Sequence, residues 1–196
     1  MQDGLFDGGG AVAPAGSVVD DVAVGGMDSP VGRLGVAVTG AGLASLSWGD
    51  ETGMAAWVAT RGGPPVVDDA ERVAPVLDRL GEYFAGARRV FDIPLDWRFT
   101  SGVQRTVLET LNRTVGYGFS VTYGELAARS GTGVPARGIG SVMGSNPIPI
   151  VVPCHRVLAS DGLGGYSGGS GGDGLAVKRW LLTLEGVLPP TLDWAL

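Results

Sequence analysis

The spacing of hydrophobic positions changes character twice along this chain. From Val22 to about Val58 the apolar residues come in short β-like runs interrupted by glycine. Gly32-Arg33-Leu34-Gly35-Val36-Ala37-Val38 and Leu43-Ala44-Ser45-Leu46-Ser47-Trp48 flank Thr39-Gly40-Ala41-Gly42, which predicts a β-hairpin. Between Asp68 and Ala85 the period becomes helical. Val73, Val76, Leu77, Leu80, Tyr83 and Phe84 recur at three and four, Asp68, Asp69 and Glu71 crowd the first turn, and Gly86 closes the end. Val90 to Trp97 reads as a short extended link. Residues 20–97 thus form a small α+β unit with no evident chemistry, a scaffold.

The remainder, 98–196, predicts mostly helices. Gln104 to Arg113 places Val107, Leu108 and Leu111 on one stripe, and Tyr123 to Arg129 is a short helix. After the break Gly131-Thr132-Gly133, Pro135 suits a first helical position in a segment reaching about Gly144. Two short helices about a glycine turn have the form of a helix-turn-helix. In the second of them Ala136, Gly140 and Gly144 make a nearly bare face, with Arg137 and Ser141 on the adjoining row. Helical glycine costs about 1 kcal/mol relative to alanine, so the stripe needs a reason. Close packing of a neighbouring helix and close approach of a nucleic-acid groove both supply one. Asn146 to Pro153 reads as an apolar extended run carrying Cys154 and His155 into the interior, Ser160 to Gly174 as loop, and Leu175 to Glu185 as a closing helix.

Composition narrows the classes. Glycine fills 35 of 196 positions without a period of three, so it serves tails, turns and close approaches rather than a collagen. Residues 1–19 are Gly/Ala-rich and aperiodic, the pattern of a disordered tail. One cysteine excludes an internal disulfide, and one cysteine with one histidine cannot supply a four-ligand structural zinc site. No apolar run is long enough to span a membrane and no signal peptide is evident, so a reduced, cytoplasmic protein is expected. The net charge of −6 is unequally divided. Residues 1–100 hold 7 Arg against 14 acids, residues 101–196 hold 6 Arg and 1 Lys against 6 acids. Any contact with nucleic acid therefore belongs to the second half.

The lone cysteine and the lone histidine are adjacent, which random placement would achieve about 1% of the time. A free thiol is only a few per cent ionised at neutral pH and needs a base to become a nucleophile. Neighbouring side chains diverge, so a bridging water is the expected proton path from Cys154 to His155. The base itself needs a carboxylate to orient it. Glu185, at the end of an apolar helix, is the acid whose surroundings most demand a partner.

The run Pro153-Cys154-His155-Arg156-Val157 closely resembles the active-site signature of the 6-O-methylguanine-DNA methyltransferases. Val121-Thr122-Tyr123-Gly124-Glu125-Leu126-Ala127 resembles that family's first helix-turn-helix helix, and Ala136-Arg137-Gly138-Ile139-Gly140 its recognition helix. Asn146-Pro147 resembles its asparagine hinge, Gly165-Tyr166-Ser167-Gly168-Gly169 its loop over the base pocket, and Lys178-Arg179-Trp180-Leu181-Leu182 through Glu185-Gly186 its closing helix. These blocks stand in the family's order from about residue 101 to 186. Residues 20–97 match more loosely.

The resemblance implies an α+β fold: a ribonuclease H-like first unit and a helical, helix-turn-helix-bearing second. It implies DNA repair by direct reversal, with an alkyl group moving once and irreversibly from the 6-oxygen of guanine, or the 4-oxygen of thymine, to Cys154. In that reading His155 removes the thiol proton through water, Glu185 holds the imidazole, Asn146 fixes the hinge and Tyr123 supports the departing guanine. Ser167 would hold the base oxygen, and Val157 and Tyr166 would line the pocket. Arg137 would fill the space of the flipped nucleotide, while Thr122, Ala136, Gly140 and Ser141 meet the minor groove of double-stranded DNA. No cofactor or metal is implied, and the protein is expected to be a monomer, with cooperative binding along DNA open. A lesion-recognising adaptor without transfer is the alternative. Several features depart from the family pattern. Ser170 to Gly174 lengthens the loop, Ser141 to Ser145 lacks basic residues, and the zinc ligands some members carry are missing. The tryptophan of the alkyltransferase-like proteins is excluded by Cys154 itself.

Overall fold

The computed structural model describes residues 20–169 and 172–190. The tail expected at 1–19, residues 170–171 of the long loop and the last residues, 191–196, lie outside them.

The hairpin forms where the alternation predicts it. Strands β1 (Val22–Met27), β2 (Leu34–Thr39) and β3 (Gly42–Trp48) are antiparallel neighbours, and the short β4 (Val66–Val67) joins β1 in parallel, giving the order β3-β2-β1-β4. Both faces of the sheet are covered. Val36, Val38, Leu43 and Leu46 pack with Val73, Val76, Leu80 and Tyr83 of α2 (Ala70–Phe84), and on the opposite face Val22 and Ala37 pack with Met54 and Val58. Those last two residues correct the sequence reading. Glu51–Thr60 is a helix, α1, where continued β-like runs were expected. Its amphipathic signal is weak, because an i, i+4 pair is all it buries. Asp50 starts it by accepting a bond from the Gly53 amide, 2.8 Å.

The second half begins with α3 (Gly102–Thr114), whose Val107, Leu108 and Leu111 are buried as the stripe requires. Strand β5 (Val121–Thr122) leads directly into α4 (Tyr123–Ser130). Thr122 and Glu125 form a reciprocal capping box there, and Gly131 ends the helix in a left-handed conformation. Helix α5 (Ala136–Gly144) follows, with Pro135 as its cap rather than its first residue. A single 3₁₀ turn, Cys154–Arg156, feeds β6 (Val157–Leu158), which pairs in parallel with β5, and α6 (Gly174–Leu184) closes the fold.

The run from Asn146 to Pro153 is buried as expected but is not extended. It is a succession of turns in which Val151 N donates to Pro149 O, Val152 N to Ile148 O and Cys154 N to Val152 O. Ile150 adopts φ 72°, a left-handed position that a β-branched residue takes only under tertiary constraint. The constraint is visible. Both the Leu46 amide (2.8 Å) and the Ser45 hydroxyl (3.0 Å) of β3 donate to Pro147 O, so the first half clamps this turn. One hydrophobic core extends through both halves, from Ala23 and Tyr83 to Leu108, Cys154 and Leu181.

Candidate active site

Local sequence sets the placement of each reactive side chain. The tight turns after Asn146 deliver Cys154 to the start of the 3₁₀ turn, so that Cys154 borders a cavity of about 740 Å³ while His155 points into the core. The cavity wall is built from three elements. Helix α4 contributes its cap Thr122 and Tyr123, α5 contributes Ala136, Arg137, Gly140 and Gly144, and the following loop contributes Gly165, Tyr166 and Ser167. The bare face of α5 thus turns toward open space. A methyl on Gly140 would meet only Tyr123 Cε1, at 4.0 Å, and one on Gly144 would meet nothing within 4 Å. Of the two explanations for the stripe, packing of a neighbouring helix is removed.

The polar network lies on the other side of the thiol. His155 Nε2 is 2.9 Å from Glu185 Oε1, and both side chains are fully buried. Glu185 also receives Arg156 Nε on Oε2 at 2.8 Å, Arg156 Nη2 on Oε1 at 2.9 Å and the Tyr83 hydroxyl on Oε1 at 2.7 Å. Burial alone would raise the Glu185 pKa, but the His155 hydrogen bond and the Arg156 guanidinium overturn it and bring it down to about 2. Burial lowers the pKa of His155, with Glu185 opposing, so the imidazole is neutral at pH 7. A neutral ring facing an ionised carboxylate must present its N–H there. Nε2 is therefore the donor, and Nδ1 carries the free lone pair. No protein group among the described residues occupies Nδ1.

Burial likewise pushes the Cys154 thiol up, against the opposing pull of Asn146, the Lys178 charge and Tyr166. At neutral pH the site holds a protonated thiol beside an imidazole with an open lone pair, an arrangement for deprotonation on demand rather than for a standing thiolate. Asn146 stiffens the approach, donating from Nδ2 to Val152 O at 2.8 Å while its Oδ1 accepts from the Ile148 amide at 3.0 Å. Tyr166 rests edge-on against Trp48 of β3, centroids 6.1 Å apart, and its buried hydroxyl has no ordinary hydrogen-bond partner among the described residues. Ser167 Oγ donates to Gly144 O at 3.3 Å, tying the loop to the end of α5. Tyr123 is half-buried, which raises its pKa above the ordinary phenol value, and its hydroxyl lies 3.4 Å from Gly165 O.

One of the sequence-derived residues stands elsewhere. Val157 is fully buried in β6 and is not among the residues lining the cavity, because its side chain turns into the core when β6 pairs with β5. Ser141, expected on the row beside the bare face, is exposed on α5 next to the cavity. Three residues around the site escaped the sequence reading. Arg156 lay inside the quoted motif but had no role. Tyr83 served as a core position in a region read as scaffold. Lys178, fully buried, donates from Nζ to Val157 O (2.7 Å), Leu163 O (2.5 Å) and Gly165 O (3.1 Å), which fastens the pocket loop to the strand after the cysteine. Three carbonyls hold it, no carboxylate among the described residues pairs with it, and burial lowers its pKa to about 8.

Five of the seven arginines of the first half, Arg33, Arg72, Arg79, Arg88 and Arg98, are tied to carboxylates, and Arg61 and Arg89 lie over the Trp57 and Tyr117 rings; Arg137 is exposed and makes no ion pair among the described residues.

Residues 102–187 match the family model of the 6-O-methylguanine DNA methyltransferase DNA-binding domain, and residues 23–97 match that of the ribonuclease-like domain. A methylated-DNA–protein-cysteine methyltransferase of Mycolicibacterium paratuberculosis is 41% identical over 160 residues, covering 81% of this chain and 89% of that protein. The crystal structure of the Mycobacterium tuberculosis O6-methylguanine methyltransferase superposes with a TM-score of 0.67 at 35% identity, over 87% of this chain and 97% of that one. The M. tuberculosis OGT in complex with DNA gives the same TM-score at 36% identity, over 84% and 92%.

Proposed function

Because this chain belongs to the 6-O-methylguanine DNA methyltransferase family, we propose how its own residues perform the transfer of an alkyl group from DNA to a cysteine. The observation that carries the reading is the placement of its one thiol, at the floor of a cavity and next to a histidine whose far nitrogen is held by an ionised carboxylate.

In this reading the substrate is an alkylated guanine in double-stranded DNA, rotated out of the helix into the cavity at a cost of a few kcal/mol. The Cys154 proton passes through a water to His155 Nδ1. The sulfur then bonds to the alkyl carbon as the bond from that carbon to the guanine oxygen breaks. The electron pair moves into the purine, where Tyr123 donates to a ring nitrogen and Ser167 to the oxygen. Donors aimed at such developing charge contribute about 2–4 kcal/mol each. Proton balance is restored when the ring takes up the proton that the thiol gave. The products are S-alkylcysteine and guanine, and a thioether is not hydrolysed, so each molecule acts once.

The open small-residue face of α5 supports docking against the minor groove, with Arg137 reaching into the vacated stack. Two expectations follow. Gly140→Ala has room for its methyl and should stabilise the protein by about 0.5–1 kcal/mol in denaturant unfolding, as alanine does over glycine in a helix. The same methyl should weaken binding to duplex DNA; unchanged DNA affinity would dissociate the bare face from docking. Arg137→Ala should slow transfer from duplex DNA severalfold and leave transfer from the free alkylated base nearly untouched. Equal losses on both substrates would remove Arg137 from the flipping step.

The test of the function is a mass measurement. After incubation with a duplex containing O6-methylguanine, the intact protein should carry one methyl in place of one hydrogen, and peptide mapping should locate it on Cys154. Binding with unchanged mass would favour the adaptor reading instead.

A further inference from the structure

The amino-terminal half makes a contact with the reactive centre that nothing in its sequence announces. Tyr83 is fully buried on α2, boxed by Phe84, Phe91 and Tyr117 with ring centroids 5.4, 4.9 and 6.2 Å away. Its hydroxyl crosses from that aromatic box to Glu185 Oε1, 102 residues further along the chain. That same oxygen receives His155 Nε2 and one Arg156 nitrogen, so three donors share one atom while Oε2 takes a single bond. A carboxylate oxygen spreads its charge over the donors it holds. Each added donor weakens its attraction for the others and reduces the extent to which it stabilises an imidazolium.

We propose that Tyr83 is a positioning residue for alkyl transfer, a hydroxyl lent by the amino-terminal half that divides Glu185 between itself, Arg156 and His155 and thereby sets how tightly the carboxylate holds the imidazole. The other groups around this pair work in the same direction or not at all. Arg156 of the 3₁₀ turn and Lys178 of α6 are cationic and disfavour a second positive charge on His155. Tyr117, which follows α3, commits its hydroxyl to Leu184 O at 2.8 Å and makes no bond to the carboxylate. Cys154 is held as the neutral thiol. Tyr83 is thus the neutral donor through which docking of the first half reaches the base. The first half also holds the opposite flank of the centre, through the two bonds from β3 to Pro147 O.

The inference rests on the assignment of His155 as the base, and the experiment separates the two. His155 is the only histidine, so carbon-13 labelled histidine reports its titration alone in a nuclear magnetic resonance spectrum. In Tyr83→Phe, Oε1 loses one donor and attracts the imidazolium more strongly. The His155 titration should move to higher pH, and the transfer rate at pH 6 should fall by about threefold, recovering fully above pH 8 as the neutral ring is restored. Tyr83→4-aminophenylalanine keeps a weaker donor in the same place and should shift the titration in the same direction by less. That arm also stands if Tyr83→Phe fails to fold. A folded variant of either kind whose His155 titrates as in the parent protein, even with a lowered melting temperature, overturns the proposal and leaves Tyr83 a packing residue. Absence of methyl transfer by the parent protein would instead overturn the function while the titration still reports on Tyr83.

Discussion

Cys154→Ala, incubated with a duplex bearing O6-methylguanine, is expected to gain no mass at any incubation time while still binding the duplex within a few-fold of the parent affinity. The loss is total rather than partial because the sulfur is the group that keeps the alkyl carbon. Removing a catalyst that recycles leaves residual turnover from the rest of the site. Removing an acceptor leaves nowhere for the group to go, and the chain has no second thiol. Binding survives for a separable reason. The proposed DNA-contacting residues, Arg137 with the Ala136, Gly140 and Gly144 face, all lie on α5, whereas the sulfur is carried by the 3₁₀ turn. The side chain also borders a cavity, so its truncation enlarges an existing space instead of opening a new one in the core. Electrophoretic mobility shift for binding, with intact mass for transfer, gives both halves of the answer. Simultaneous loss of binding and transfer would mark Cys154 as structural, and methylation of the alanine variant would deny it the acceptor role.

The largest effect on stability should come from Glu185→Ala. One carboxylate satisfies the Arg156 guanidinium through two bonds, the His155 N–H and the Tyr83 hydroxyl, all of them buried. Truncation leaves the His155 N–H and the Tyr83 hydroxyl without that acceptor and Arg156 with only its bond to Val115 O, and a buried cation without its counter-charge costs about 3–5 kcal/mol. Against the 5–15 kcal/mol that holds a typical domain folded, this is a large share. Denaturant unfolding should show that loss, and transfer should fall sharply even at temperatures where the variant stays folded, because the imidazole has lost its anchor. The pH dependence follows with a definite sign. The folded-state pKa of Glu185 lies at about 2, below the ordinary carboxylate value, so its contribution is complete above that ordinary value and is lost as pH falls toward 2. His155 adds to this on the acid side, since a histidine buried in its neutral form must take up a proton as the chain unfolds. Parent stability should therefore fall on acidification, and Glu185→Ala should flatten the part of that fall below the ordinary carboxylate range. An unchanged acid limb would contradict the assignment of Glu185 as the ionised centre of the network.

Much of this is legible in the sequence. The hairpin, the helices α2 to α6 and the helix-turn-helix follow from periodicity and caps, which act over one or two turns. Gly86 at the end of α2 and the break at Gly131 are such local signals. Cys154, His155 and Glu185 stand out because reactive residues are rare here, and the resemblance of the surrounding motifs to a known family supplies the roles expected of them. Helix α1 was illegible because two inward positions do not make a stripe. The turns of Asn146 to Pro153 were illegible because prolines and β-branched residues prefer extended backbone until β3 clamps the segment through Pro147 O. Val157 was misplaced for a related reason. Which way a strand residue faces depends on its partner, and β6 takes its partner 36 residues back, at Val121.

By itself, then, the sequence determined the local elements, the candidate nucleophile and base, and the half of the molecule to which the family motifs belong, because each depends on neighbours within a few positions, on residue types present once or on motifs shared with a known family. Tertiary structure decided who shares the Glu185 carboxylate, that the bare face of α5 looks into open space, and that the first half holds the reactive centre as well as supporting it. Those outcomes depend on atoms brought together from positions about a hundred residues apart, such as Tyr83 with Glu185 and Ser45 with Pro147. No spacing rule reaches that far, because the meeting of such residues is a property of how whole layers pack.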